Sequence, residues 1–244
     1  MRKLKIEAAG ITDIGIAKKV NQDSFLYKIT DIGESYAGIF AVADGVGGLD
    51  FGEVASTLAI SNLNSWWEQD FKSNIDKPIN IINSLIFTFK KSNKEILQYS
   101  LLNGIRTATT LSVLLIYNNY YYVIHTGDSR IYKIDSKIQC LTKDYCCYVN
   151  KIVNGVTYRR SLLTACLGAK EELDYFCASD QISKNDLFII CSDGVYKTIS
   201  DKDILKLIKK NKRDLKLSCE TLINEAKLRG EKDNITMIAC RIIR

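Results

Sequence analysis

The chain has 244 residues, long for one domain yet within reach of a single β-sandwich or α/β unit. Hydrophobic residues make up 46%, which excludes a disordered chain, and no apolar run approaches the roughly 18 residues that span a bilayer. The net charge is +6, from 34 basic and 28 acidic residues; much of the excess sits in "KLIKKNKRDLKL", residues 206–217, which has no interleaved aromatics and reads as a solvated helix face, not a nucleic-acid surface.

The N-terminal "MRKLKIEAAG" is charged but has no apolar core, so no secretory signal is expected. "DSFLYKI" and "YAGIFAVA" predict strands. A helix is predicted over 53–67, with Val54, Leu58, Leu63 and Trp66 among its apolar positions. A second is predicted over 79–102 from the spacing of Ile82, Leu85, Ile86, Phe89, Ile96 and Leu97. "TTLSVLLIYNNYYYVIHTG" reads as a hairpin turning at Asn118-Asn119, and "RIYKI" continues the meander. "DLFIICS" is a further buried strand, 201–210 and 217–229 are helices, and "NITMIACRII" is the last strand. No linker, repeat or low-complexity segment interrupts this order, so residues 1–244 are expected to form one domain. Strands and helices come in blocks and do not alternate, which suggests α+β with antiparallel sheet. Eight cysteines show no CxxC pair and no Cys/His spacing suited to zinc. Cys191 and Cys240 lie in apolar runs, where a thiol acts as a small hydrophobe. Reduced thiols and a cytoplasmic location are expected.

Five aspartates share one property: each stands where a strand begins or ends. Asp23 opens "DSFLY", Asp44 closes "FAVAD", Asp128 follows "VIHTG", Asp193 follows "FIICS", and Asp233 precedes "NITMI". A lone Asp-Gly at such a place is usually a turn. Five carboxylates aimed into one cleft would repel and could not all stay ionised without cations. Hard oxygen donors with no nearby His or Cys suit Mg²⁺ or Mn²⁺. Gly45, with no side chain, leaves its carbonyl free to act as another oxygen donor.

The order of these words resembles the metal-dependent protein Ser/Thr phosphatases of the protein phosphatase 2C type. That family carries G-x-x-R-x-x-N-x-D, V-A-D-G-x-G-G, G-T-T, G-D-S-R, L-T-x-D-H, S-D-G and D-N in order. The matching stretches are "GIAKKVNQD" (15–23), "VADGVGG" (42–48), "TATT" (107–110), "GDSR" (127–130), "LTKDY" (141–145), "CSDGV" (191–195) and "DNITMI" (233–238). The resemblance implies a four-layer αββα sandwich, two antiparallel sheets flanked by helices, with a metal centre at one end. It implies that Asp23, Asp44, Asp193 and Asp233 bind metal, that Asp44 bridges two ions, and that Gly45 adds its carbonyl. Asp128 matches the acid that, with the Asp193 position, helps to hold a third ion. The cofactors implied are two Mn²⁺ or Mg²⁺ ions, with a third in the Asp128 position. The reaction implied is hydrolysis of phosphoserine or phosphothreonine in proteins by a hydroxide between the two ions, and the partner implied is a cognate Ser/Thr kinase.

Several positions depart from the family pattern. Lys18 stands where Arg normally forks onto phosphate, and an ammonium offers only a point charge there; Lys19 is its neighbour. Val46 occupies a position where many members have His. His125, the only histidine, is expected to be a core or cleft-lining residue. Tyr145 replaces the usual His of the "DH" pair, and Cys166 stands where bacterial members have Arg. The flap at about 145–161 looks short, and its Arg159 and Arg160 are candidates for attracting an acidic phosphopeptide. Two other readings remain open: a catalytically impaired member that binds phosphoproteins, and a phosphatase for small phosphoesters.

Overall fold

The run "YAGIFAVA" is apolar at every position because both faces of its strand are covered. It forms β3 (Tyr36–Asp44), in which alternate side chains serve two different cores. Ile39, Ala41 and Ala43 pack with helical residues, while Phe40 and Val42 pack against a second sheet. The computed structural model describes residues 5–33, 35–74, 77–153 and 156–243, the side chains of 78 and 151–160 excepted. Around β3 lie β1 (Lys5–Asp13), β2 (Asp23–Asp31), β4 (Leu111–Tyr117), β5 (Tyr120–Thr126), β6 (Arg130–Ile134) and β7 (Ile138–Cys140). A hairpin, β8 (Cys146–Val153) and β9 (Val156–Leu163), precedes β10 (Phe176–Gln181), β11 (Leu187–Cys191) and β12 (Ile235–Ile243).

One sheet runs in the order β1-β12-β11-β6-β7 and the other β10-β5-β4-β3-β2, every neighbouring pair antiparallel. Between them lies a core of Phe40, Val42, Leu114, Val123, Phe188, Ile190 and Ile238, among others. Helices α1 (Gly52–Trp66) and α2 (Pro78–Asn103) cover the second sheet. Helices α3 (Asp193–Tyr196), α4 (Asp201–Lys210) and α5 (Leu215–Leu228) are grouped with the first, where Ile204, Ile208, Cys219 and Leu222 meet Ile189 and Met237. The architecture is the α+β four-layer αββα sandwich.

The Asn118-Asn119 hairpin forms as read. Both residues have positive φ, 52° and 64°, which the mirror-image turn between twisted strands requires. The helices also fall close to their predicted spans, with two differences. On α1 the buried face is Ala55, Ala59, Leu63 and Trp66, with Val54 and Leu58 only half-buried, so small residues bring the helix close to the sheet. Beyond Trp66 the chain widens into a π-turn over Trp67–Phe71. That wider turn buries both rings, stacked at 4.3 Å, while Trp66 Nε1 donates to Ser84 Oγ at 2.9 Å.

Sheet register gathers the strand ends. Asp23 of β2 lies directly opposite Asp44 of β3. Cys191, at the end of β11, pairs with Arg130 on one side and Met237 on the other. Leu111 pairs with Thr126, so the loops carrying Thr110 and Asp128 leave at the same end. Because Phe40 is fully buried between the sheets, Phe40→Ala should cost about 3–5 kcal/mol in chemical denaturation. A loss under about 1 kcal/mol would mean that the sheets do not pack on this residue.

Candidate metal centre

Asp-Gly occurs twice at this end, and both glycines are needed for close approach of backbone. A Cβ on Gly45 would lie 2.5 Å from the carbonyl of Gly52, and one on Gly194 would lie 2.2 Å from the Asn234 carbonyl oxygen. Asp44 is fixed through its own backbone. Its N–H donates to Thr110 Oγ1 at 2.9 Å, and its carbonyl accepts from Thr110 N–H at 2.8 Å and Thr109 Oγ1 at 2.9 Å. This explains why two threonines end the "TATT" stretch. Thr110 Oγ1 in turn bonds Ser129 Oγ of "GDSR" at 2.7 Å.

The remaining words interlock in the same way. Arg130 forks onto Asp144 of "LTKDY" at 2.7 and 3.0 Å and stacks over the Tyr196 ring at 3.7 Å. The Tyr196 hydroxyl donates to the Asp128 carbonyl at 2.7 Å. Ser192 Oγ donates to Asp23 Oδ2 at 2.8 Å, and accepts from Thr236 N–H. Asn234 ties the loop of residues 14–22 to β12. Its amide donates to the carbonyls of Ile14 and Val20, and its oxygen accepts from Gln22 N–H. Sequence reasoning gave Asn234, Thr110 and Ser192 no role of their own; Asn234 and Ser192 stand next to Asp233 and Asp193 in the chain, whereas Thr110 meets Asp44 only in the fold.

Four of the five acids, Asp44, Asp128, Asp193 and Asp233, line one cleft of about 500 Å³ together with Val46, Gly47 and Lys197. Tyr148 and Leu162 of the β8–β9 hairpin form part of its wall. Asp23 is buried beside them, and its charge acts on Asp44. Two carboxylate oxygens, Asp23 Oδ1 and Asp193 Oδ1, are buried without any hydrogen-bond partner. Orphaned acceptors of this kind are rare and costly. A bound divalent cation would give such oxygens a partner. The donor set is all oxygen, which fits Mg²⁺ or Mn²⁺.

Two lysines already lean on these acids. Lys18 Nζ lies 2.6 Å from Asp233 Oδ1, beside Gly47, and Lys197 Nζ pairs with Asp193. Among the described residues, no three acid, His or Cys side chains are yet gathered around a single point. The remaining charge is absorbed by protons. Burial, then the charges of Asp23, Asp193, Asp128 and Asp233, push Asp44 well above the ordinary carboxylate range. Burial raises Asp23 to about 6 and Asp128 to about 7, and raises Asp193 as well.

His125 is fully buried and outside the cleft wall. Its Nε2–H donates to the Lys143 carbonyl at 3.2 Å, so Nδ1 accepts from Ser112 Oγ at 2.8 Å. Burial lowers it to about 4. It is the satisfied core histidine of the two roles expected. Cys166 is buried and Lys19 is exposed. The Tyr145 N–H donates to the Gly127 carbonyl. Arg159 and Arg160 fall on β9, and their side chains lie outside the described residues.

Two antiparallel sheets between helices, with strand ends that bring four aspartates to one cleft, define the class of fold and site. The protein phosphatase 2C family profile matches residues 16–226, and the chain belongs to that family. It is 30% identical over 219 residues to the serine/threonine phosphatase stp of Listeria monocytogenes, covering 82% of each chain. Its fold is similar to the serine/threonine phosphatase of S. agalactiae, with a TM-score of 0.82 at 23% identity, covering 97% and 99% of the two chains. It is similar also to the catalytic domain of PstP in complex with two manganese ions, with a TM-score of 0.77 at 24% identity, covering 99% and 100%.

The raised carboxyl values make the metal-free protein sensitive to pH. Asp23 and Asp128 hold protons in the fold that the unfolded chain gives up near pH 4. Their contribution is full below pH 4 and is lost as pH rises through about 6 and 7. His125 acts oppositely: its contribution is full above its unfolded value of 6.5 and is lost as pH falls through about 4. The acids outnumber it, so the metal-free Tm should fall between pH 5 and pH 7.5, and Mn²⁺ should reverse the fall. A metal-free Tm that rises over this interval would contradict the electrostatic picture.

Proposed function

We propose that this chain hydrolyses phosphoserine and phosphothreonine in proteins, as a protein Ser/Thr phosphatase dependent on Mn²⁺ or Mg²⁺. The observation that carries this reading is a cleft lined by four strand-end carboxylates with Asp23 buried beside it, two of the five having orphaned buried oxygens, in a chain of the protein phosphatase 2C family. Asp23, Asp44, Asp193, Asp233 and the Gly45 carbonyl would hold two ions, with Asp44 shared between them. Asp128 faces the same cleft, where the resemblance puts a third. When bound, such a pair lowers the pKa of water toward neutrality and offsets charge on the phosphoryl oxygens. The manganese-bound PstP structure supports the choice of metal.

The chain's own residues then position and select. Lys18, paired with Asp233 in the metal-free cleft, would be free to contact the phosphate when that carboxylate holds a cation. It contacts the phosphate as a point charge, without the planar fork of an arginine. Val46 has no proton to give and His125 is committed to Ser112 and Lys143, so neither supplies the proton of the leaving oxygen. The short flap around 145–161, with Tyr148 and Leu162 on the cleft wall, shapes the groove for the polypeptide on either side of the phosphoresidue. Residues 1–244 act as one catalytic domain in the cytoplasm, opposing a cognate Ser/Thr kinase. No helix among the described residues is long and apolar enough to cross a membrane.

Turnover of a phosphothreonine peptide and of p-nitrophenyl phosphate should require Mn²⁺ and stop with EDTA. Asp44→Asn should lower kcat by more than the roughly 100-fold that loss of a supporting residue costs, with the fold intact by circular dichroism. Unchanged turnover in Asp44→Asn would refute the ligand assignment. Turnover of p-nitrophenyl phosphate alone would favour a small-phosphoester enzyme, and none at all a binding module.

A further inference from the structure

The cleft contains a permanent cation that the site reading above leaves without a function. Lys197 lies one turn after Asp193, and its N–H donates to the Asp193 carbonyl at 3.0 Å, which continues the turn of α3. The i, i+4 spacing brings its ammonium back onto the Asp193 carboxylate at Oδ2. Asp193 Oδ1 is the buried oxygen with no partner. The two oxygens of this carboxylate are therefore differently committed. One is paired with the Lys197 ammonium and the other has no partner.

Lys197 is also placed toward Asp128. Both line the cleft, and the lysine's charge acts first on Asp193 and then on Asp128 and Asp44. Arg130 is held away by its fork onto Asp144 and by the Tyr196 ring. Tyr196 pins the Asp128 backbone to α3, the turn that carries Asp193 and leads into Lys197. An additional ion between Asp128 and Asp193 would need the Asp193 oxygen that Lys197 holds. It would also bring two positive charges up against a third.

We infer that the Lys197 ammonium stands in for a third divalent ion between Asp128 and Asp193, and so limits this centre to two ions. Lys18 differs, because it reaches Asp233 from a separate loop, whereas Lys197 is tethered one helical turn from the carboxylate it holds. It gives way to metal, whereas Lys197 stays. The inference rests on the reading of the site as a two-ion centre.

The test is a count of bound metal. Metal-free wild-type protein, Lys197→Met, Lys197→Gln and Lys197→Arg are titrated with Mn²⁺ by equilibrium dialysis and calorimetry, with circular dichroism and Tm as controls of folding. Wild type and Lys197→Arg should bind two Mn²⁺ per chain. Lys197→Met should bind a third, at least tenfold tighter than any third ion in wild type. Lys197→Gln should do the same, which keeps the test valid if Lys197→Met fails to fold. Three ions in wild type, or two in both neutral variants, would overturn the inference while leaving the two-ion centre intact. No Mn²⁺ bound to wild type would remove the two-ion reading, and this inference with it.

Discussion

Asp23 and Asp44 face each other across a β-ladder, and the rest of this end of the molecule is arranged around that pairing. Directly opposite side chains on neighbouring strands lie about 5 Å apart at Cβ, and like charges there destabilise the sheet. Two unit charges about 4 Å apart repel by about 4 kcal/mol at the effective dielectric of a protein surface. The repulsion is tolerated because the strands are committed elsewhere. β3 buries Phe40 and Val42 between the sheets and Ile39, Ala41 and Ala43 under the helices. Moving Asp44 out of the cleft would mean shifting a strand whose every other neighbour is packed.

Three devices answer the charge. Protons are taken up, as the raised values of Asp23, Asp44, Asp128 and Asp193 show. Two ammonium groups pair with Asp233 and Asp193. Divalent cations would be a third, and would also give partners to the orphaned oxygens of Asp23 and Asp193. A phosphate ester is itself anionic. A cleft that answered its acids only with protons would repel that substrate less, but could not attract it. Cations reverse the sign of the field, so one device serves stability and substrate attraction together.

Much of this was legible because the chemistry needs particular residues at strand ends. Asp44-Gly45 and Asp193-Gly194 stand out from the apolar runs before them, and the backbone contacts explain both glycines. Strands buried on two faces, such as β3 and β11, announce themselves as unbroken apolar runs. The edge strand β1 did not, since "KIEAAGITD" is rich in Ala and Gly and becomes a strand only through its nine-residue pairing with β12. The π-turn at Trp67–Phe71 was also missed, because its spacing matches neither helical nor strand periodicity. The same holds for Lys197. Its i, i+4 spacing from Asp193 is legible, but only the fold shows that a helical turn joins the two.

The central claim is that Asp44 stands between two cations while Asp23, Asp193 and Asp233 complete their shells. Crystals grown with Mn²⁺ and measured at the manganese absorption edge test it most directly. The account predicts two anomalous peaks in the cleft, one on each side of the Asp44 carboxylate, with Asp23 Oδ1 and Asp193 Oδ1 in contact and Lys18 released from Asp233. A cleft without peaks, or manganese bound away from Asp44, would contradict it.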